Sequence, residues 1–109
     1  MTTRLPREER AALQRSERRS AIIAAALRLA ADKGYQTLTR DDVAAEAGVA
    51  AGSVNHEFGT VDNMRDAVID AAVEERNLVV VAQAIVAGHP AARDAPADLK
   101  KEAIETLAA

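Results

Sequence analysis

Aromatic side chains are all but missing from this 109-residue chain: Tyr35 and Phe58 stand alone, and there is no tryptophan. A sandwich or barrel core filled by aromatics is therefore excluded, and so is a stacking platform for single-stranded nucleic acid. Alanine dominates instead, with 26 residues, while Leu, Ile, Val and Phe together number 24. Such a composition suits short, closely packed helices, because alanine is the strongest helix former and adds little bulk. The length allows one domain and is too short for two. A core this thin calls for a partner chain to complete the burial of its apolar surface.

Cysteine is absent, which removes disulfides, thiol nucleophiles and cysteine zinc sites. No apolar run approaches the 18 or so residues of a membrane span, and the N-terminus is rich in Arg and Glu where a signal peptide would be apolar. The expectation is a cytoplasmic protein with no membrane partner. The net charge of −3 hides a strong asymmetry. Residues 1–40 hold nine Arg and Lys against four acids, and residues 41–109 hold five against thirteen. The basic end, and not the acidic whole, is therefore the informative part for a nucleic-acid partner.

Residues 1–18 are polar and Arg-rich, and read either as a mobile arm or as a helix extension with a solvated far side. From Ser20 the pattern is helical: Ile22, Ala26, Leu29 and Ala30 share one face, and Gly34 stands where a C-terminal cap is needed. Tyr35 and Leu38 plug the core from a short connector. Thr39 then offers a hydroxyl cap with Asp42 at the third helical position, close to a capping box, and Gly48 ends this second helix. Gly48 and Gly59 bracket a third short helix with Val54 and Phe58 inward and Ala51, Ser53, Asn55 and His56 outward. Two short helices joined by a tight Gly-containing turn describe a helix-turn-helix.

Thr60 caps the next helix, and Val61 through about Val86 reads as one long helical pattern of roughly 39 Å. Its β-branched second half, from Leu78 to Val86, has a strand as the competing reading. The helical one is preferred because no breaker interrupts the register. Gly88-His89-Pro90 ends it, and Leu99, Ala103, Ile104 and Leu107 mark a last amphipathic helix, with Pro96 in its first turn and Asp94 as cap. The fold class is all-α.

Catalysis has no footing here. His56 and His89 are the only histidines, without metal-ligand spacing, and the carboxylate pairs Asp41-Asp42 and Glu74-Glu75 occupy adjacent positions that face apart on a helix. No phosphate-cradling glycine loop occurs. The sequence is read as non-enzymatic, with neither metal nor cofactor. The helix-turn-helix does carry a mechanism. A helix enters the major groove when its outer residues are small and able to hydrogen bond. Ala51 and Gly52 permit close approach, Ser53 reaches a base edge or phosphate, Asn55 pairs with adenine in bidentate fashion, and His56 donates to guanine or phosphate. Thr39, Arg40 and Thr60 lie at helix starts, where phosphates are held.

The stretch from Arg19 to about Val68 resembles the N-terminal DNA-binding domain of the tetracycline-repressor (TetR) family. The residues that carry the likeness are Ile22-Ile23-Ala24-Ala25-Ala26-Leu27-Arg28-Leu29, Gly34-Tyr35, Thr37-Leu38-Thr39 and Val43-Ala44-Ala45-Glu46-Ala47-Gly48-Val49. Gly52-Ser53-Val54, Phe58 and Met64 complete it. The resemblance implies a three-helix head on a fourth helix, working as a dimer on a palindromic operator, usually as a repressor. Departures from the family pattern are Ala50 in place of a capping serine, Asn55 in place of a phosphate-binding tyrosine, Glu57 for an aromatic or histidine, and Val61-Asp62 for Lys-Glu. Two phosphate ligands are thereby missing. The residues after about Leu78 are too few for the family's multi-helix effector domain and its ligand pocket, so induction by a small molecule is not expected.

The resulting expectation is a dimeric, sequence-specific regulator of double-stranded DNA, divided into an arm (1–18), a head (19–72) and a helical dimerisation tail (73–109). Ala51, Gly52, Ser53, Asn55 and His56 face the bases. Arg18, Arg19, Thr39, Arg40 and Thr60 face phosphates. Arg4, Arg7, Arg10 and Arg15 extend the contact along the duplex. Leu78, Val81, Ile85, Leu99, Ile104 and Leu107 form the homodimer interface. The alternative is a protein-interaction module that pairs with another regulator and binds DNA weakly or not at all, a reading favoured by the missing phosphate ligands and the acidic second half.

Overall fold

A computed structural model describes residues 5–108. Among them lie seven α-helices and no strand, within extents of 50 × 33 × 22 Å, so the all-α class holds. The first helix, α1 (Arg7–Lys33), runs for 27 residues, about 40 Å. Residues 7–18 are therefore a helix extension. Glu8 and Glu9 sit at its positive N-terminal end, and its inner half buries Ile22, Ala25, Ala26, Leu27 and Ala30. Gly34, at φ +92°, stops the helix and turns the chain into a single 3₁₀ turn over Tyr35–Thr37. Tyr35 and Leu38 are buried as expected.

The next two helices, α2 (Arg40–Ala47) and α3 (Ala51–Phe58), follow from local chemistry. The Thr39 hydroxyl accepts the Asp42 N–H at 3.1 Å, and Gly48 closes α2 in the left-handed conformation at φ +71°. Val43, Ala44, Val54 and Phe58 turn into the core, with α2 packed on α1, and α3 on α2 and on the helix that follows it.

The single long helix expected from Val61 to Val86 is two helices, α4 (Val61–Glu74) and α5 (Leu78–Ala87). The break falls at Arg76, the one non-glycine residue with positive φ (+57°) among the described residues. Asn77 restarts the chain by accepting the Val80 N–H on its side-chain oxygen. The physical reason is burial. A helix apolar on nearly every face must be covered on several sides, and turning at Arg76 lets α5 pack against α1, α4 and α7 (Ala97–Ala108). Val80, Val81, Ala82 and Ala84 of α5 are buried, with Leu99 and Ala103 of α7 seated in the same core.

A short helix not foreseen in the sequence, α6 (Pro90–Arg93), connects them, capped by His89, whose Nδ1 accepts the Ala91 N–H. The proton is then on His89 Nε2, which donates to Asp66 of α4 at 2.9 Å. Asp94 ends α6 instead of capping α7. One continuous hydrophobic cluster reaches from Ile22 to Ala103, so head and tail share a core.

This packing corrects the expected dimer interface. Val81 and Leu99 are wholly buried inside their own chain and have no face left for a partner. Leu78 and Ile85 are half-buried against the same core. Ile104 and Leu107 are exposed, at 51% and 55%.

Candidate nucleic-acid interface

The N-termini of α2, α3 and α4 meet along one open groove, lined by Thr39, Arg40, Asp41, Ala51, Gly52, Asn55 and Val61. Each helix start presents backbone N–H groups without intrahelical partners, together with the positive end of its dipole. The caps differ. Thr39 and Thr60 accept the N–H groups of Asp42 and Asn63, which leaves each hydroxyl hydrogen to donate outward. Ala50 provides no side-chain cap for α3, so the first N–H groups of that helix stay open to an incoming acceptor.

Along α3, Ala51, Gly52, Asn55 and His56 are exposed, whereas Ser53 is half-buried. Four of the five residues expected to face the bases thus point outward, with Ser53 recessed. A Cβ added to Gly52 would meet no atom within 4 Å, so internal packing does not require glycine there. What the missing side chain opens is the groove surface itself.

Two of the expected phosphate ligands also make contacts within the chain. Arg40 Nη1 donates to Asn55 Oδ1 at 2.5 Å, tying the start of α2 to the middle of α3. One Arg40 donor and one lone pair of the Asn55 carbonyl are therefore engaged with each other, which argues against bidentate adenine pairing by Asn55. Arg19 is likewise occupied: its guanidinium lies 4.6 Å from the Phe58 ring centroid and 4.0 Å from the Glu57 carboxylate, holding α3 against α1.

Other cations of the basic half are also paired within the chain. Arg28 meets Glu46 at 3.1 Å, and Lys33 meets Asp42 at 2.5 Å. The Lys33 hydrogen bond, with help from Thr39, holds the Asp42 carboxyl below its ordinary range. Arg7, Arg10, Arg15 and Arg18 are exposed along the outer half of α1, with no ion pair among the described residues. Arg4 lies outside the described residues.

A positioning residue escaped the sequence reading. Arg65 of α4 donates through Nη2 to the Leu38 carbonyl at 2.9 Å, one residue before the α2 cap, and lies 3.9 Å from Asp62. It fixes α2 against α4. An arginine beside the core residue Met64 carries no local sign of that reach, so no sequence pattern reveals it. Among the described residues no three His, Asp or Glu side chains gather as metal ligands, and no helix is long and apolar enough to cross a membrane.

In a comparison with protein families, residues 22–68 match the model for bacterial regulatory proteins of the tetR family. The match is consistent with a TetR-family N-terminal helix-turn-helix domain over those residues. The match covers most of α1's inner half, the whole of α2 and α3, and α4 as far as Val68. The TetR family is one of DNA-binding transcription regulators. Neither a curated protein nor a solved structure matches the chain.

Proposed function

We propose that the protein is a sequence-specific regulator that binds a palindromic operator as a homodimer and represses by occupying it, in the cytoplasm and without small-molecule induction. The observation that carries this reading is the open groove where three helix starts meet the small, exposed face of α3. Ala51, Gly52, Ser53, Asn55 and His56 are the base-facing set. Thr39, Thr60 and Arg18 hold phosphates, with Arg7, Arg10 and Arg15 tracking the backbone from α1.

Dimerisation uses side chains that the chain leaves uncovered. Ile104 and Leu107 on α7 join Val79 and Val86 on α5, and Val86 at 73% is the most exposed large apolar residue among those described. Val86 and Leu107 line one open groove beside Tyr35 and Gln83. A twofold axis through this patch makes it self-complementary, and it serves DNA binding if it sets the two α3 helices about 34–36 Å apart.

Selection of bound sites from a random duplex pool tests the reading. The expected product is an inverted repeat. Replacing Asn55 and His56 with Ala relaxes base preference, while replacing Arg7, Arg10, Arg15 and Arg18 with Gln weakens all duplexes alike. That second variant also lowers the slope of log affinity against log salt by about 0.9 for each phosphate no longer neutralised. A protein that enriches nothing and shifts no duplex at low salt is instead the interaction module, and the regulator reading is wrong.

A further inference from the structure

Resting on the DNA-binding reading, we infer that Arg40 and Asn55 act as one unit that selects guanine at the base step facing the middle of α3. The geometry starts from the hydrogen bond between Arg40 Nη1 and Asn55 Oδ1. A guanidinium has only donors, so the Asn55 amide is oriented without ambiguity: its oxygen faces Arg40 and its NH₂ faces away. Both side chains are exposed and line the groove where α2, α3 and α4 begin. Asparagine reads adenine by accepting from N6–H₂ and donating to N7 at once, which needs a free carbonyl oxygen. Here one lone pair is taken, and the other lies beside a fixed positive charge that opposes an approaching amino group. What remains is a cluster of N–H donors: the Asn55 amide and the rest of the Arg40 guanidinium.

Guanine is the base whose major-groove edge is two acceptors, O6 and N7, with no donor. It satisfies those hydrogens where adenine would leave a donor facing donors. The rest of the groove agrees with a G·C pair. Asp41 is exposed and lines the same groove, and its carboxylate is the acceptor suited to the cytosine N4–H₂ group on the opposite strand. In open water a hydrogen bond between exposed side chains is weak, but exclusion of water by a bound duplex strengthens it, and its geometry is set before the duplex arrives.

The test is site selection with the full chain and two variants, each first shown by circular dichroism to melt cooperatively. Asn55→Ala identifies the base step, since preference flattens there and persists elsewhere. At that step the native protein enriches guanine over adenine by on the order of tenfold. Arg40→Met removes the donor that occupies Oδ1, frees the amide to present both faces, and moves the preference at that step toward adenine. The inference is overturned if the native protein enriches adenine at the step, if Asn55→Ala flattens no step, or if Arg40→Met leaves guanine preferred; in all three cases DNA binding itself stands. Absence of any enriched site with the native protein removes the DNA-binding reading and this inference with it.

Discussion

Replacing Leu99 with alanine tests whether α7 belongs to the monomer core or to a contact between two copies. The side chain is fully buried between α7 and α5 of one chain. A fully buried Leu→Ala change costs about 3–5 kcal/mol, combining the transfer energy of the removed atoms with an incompletely collapsed cavity. Small domains hold only about 5–15 kcal/mol in total. With about 2.1 cal/mol/K of unfolding entropy per residue over 109 residues, each kcal/mol lowers Tm by about 4.4 °C, so the variant melts roughly 13–22 °C below the native protein. The assay is calorimetric melting over a hundredfold range of protein concentration, with Ile104→Ala as its companion. Ile104 is half exposed on the same helix, so its truncation costs a folded monomer under about 1 kcal/mol. An internal Leu99 costs the same stability at every concentration, whereas the Ile104 effect grows with concentration as the dimer populates. A Leu99→Ala effect below about 1 kcal/mol, or one seen only where the dimer forms, would refute the placement of Leu99 in the monomer core.

Further outcomes follow from the helix ends and the groove. Asn77→Ala removes the cap that starts α5 and costs about 0.5–2 kcal/mol in chemical denaturation; a neutral result means the chain turns at Arg76 without it. Gly52→Ala raises stability by roughly 0.5–1 kcal/mol, since glycine is the poorer helix residue and a Cβ meets no protein atom there, while the same methyl weakens operator binding in a gel shift. Unchanged binding would show that no duplex approaches this surface. In acid, the Asp98 carboxyl, held low chiefly by its hydrogen bond from Arg76, and the Asp42 carboxyl, held low by Lys33, both contribute to stability. Their folded values lie below the unfolded ones, so the contribution is complete above the ordinary carboxylate range and fades as pH falls through and below about 4. Asp98→Asn therefore flattens the fall of Tm between about pH 5 and about pH 3, the interval around the ordinary carboxylate value; an unaltered slope would remove Asp98 from the account.

Most of the head was legible because its instructions are local. Thr39 and Thr60 cap helices through their own neighbours, Gly48 takes the left-handed conformation that ends α2, and the spacing of Val54 and Phe58 turns Ala51, Gly52 and Asn55 outward. The tail was less legible. The apolar run from Leu78 to Val86 gives no sign of which neighbour covers it, and the restart at Asn77, a good capping residue after a polar stretch, went unrecognised inside an unbroken helical register.

The order of short helices, their caps and the small outer face of α3 are consequences of side chains acting over three or four residues, and the chain's own letters settle them. Long-range partners are a different matter. That α5 folds back onto α7 and buries Val81 and Leu99, that Arg65 reaches the Leu38 carbonyl, and that Arg40 takes the Asn55 oxygen all join residues distant in the chain. Apolar contact is non-directional and any greasy face will serve it, so the identity of each partner waits on how the helices pack together.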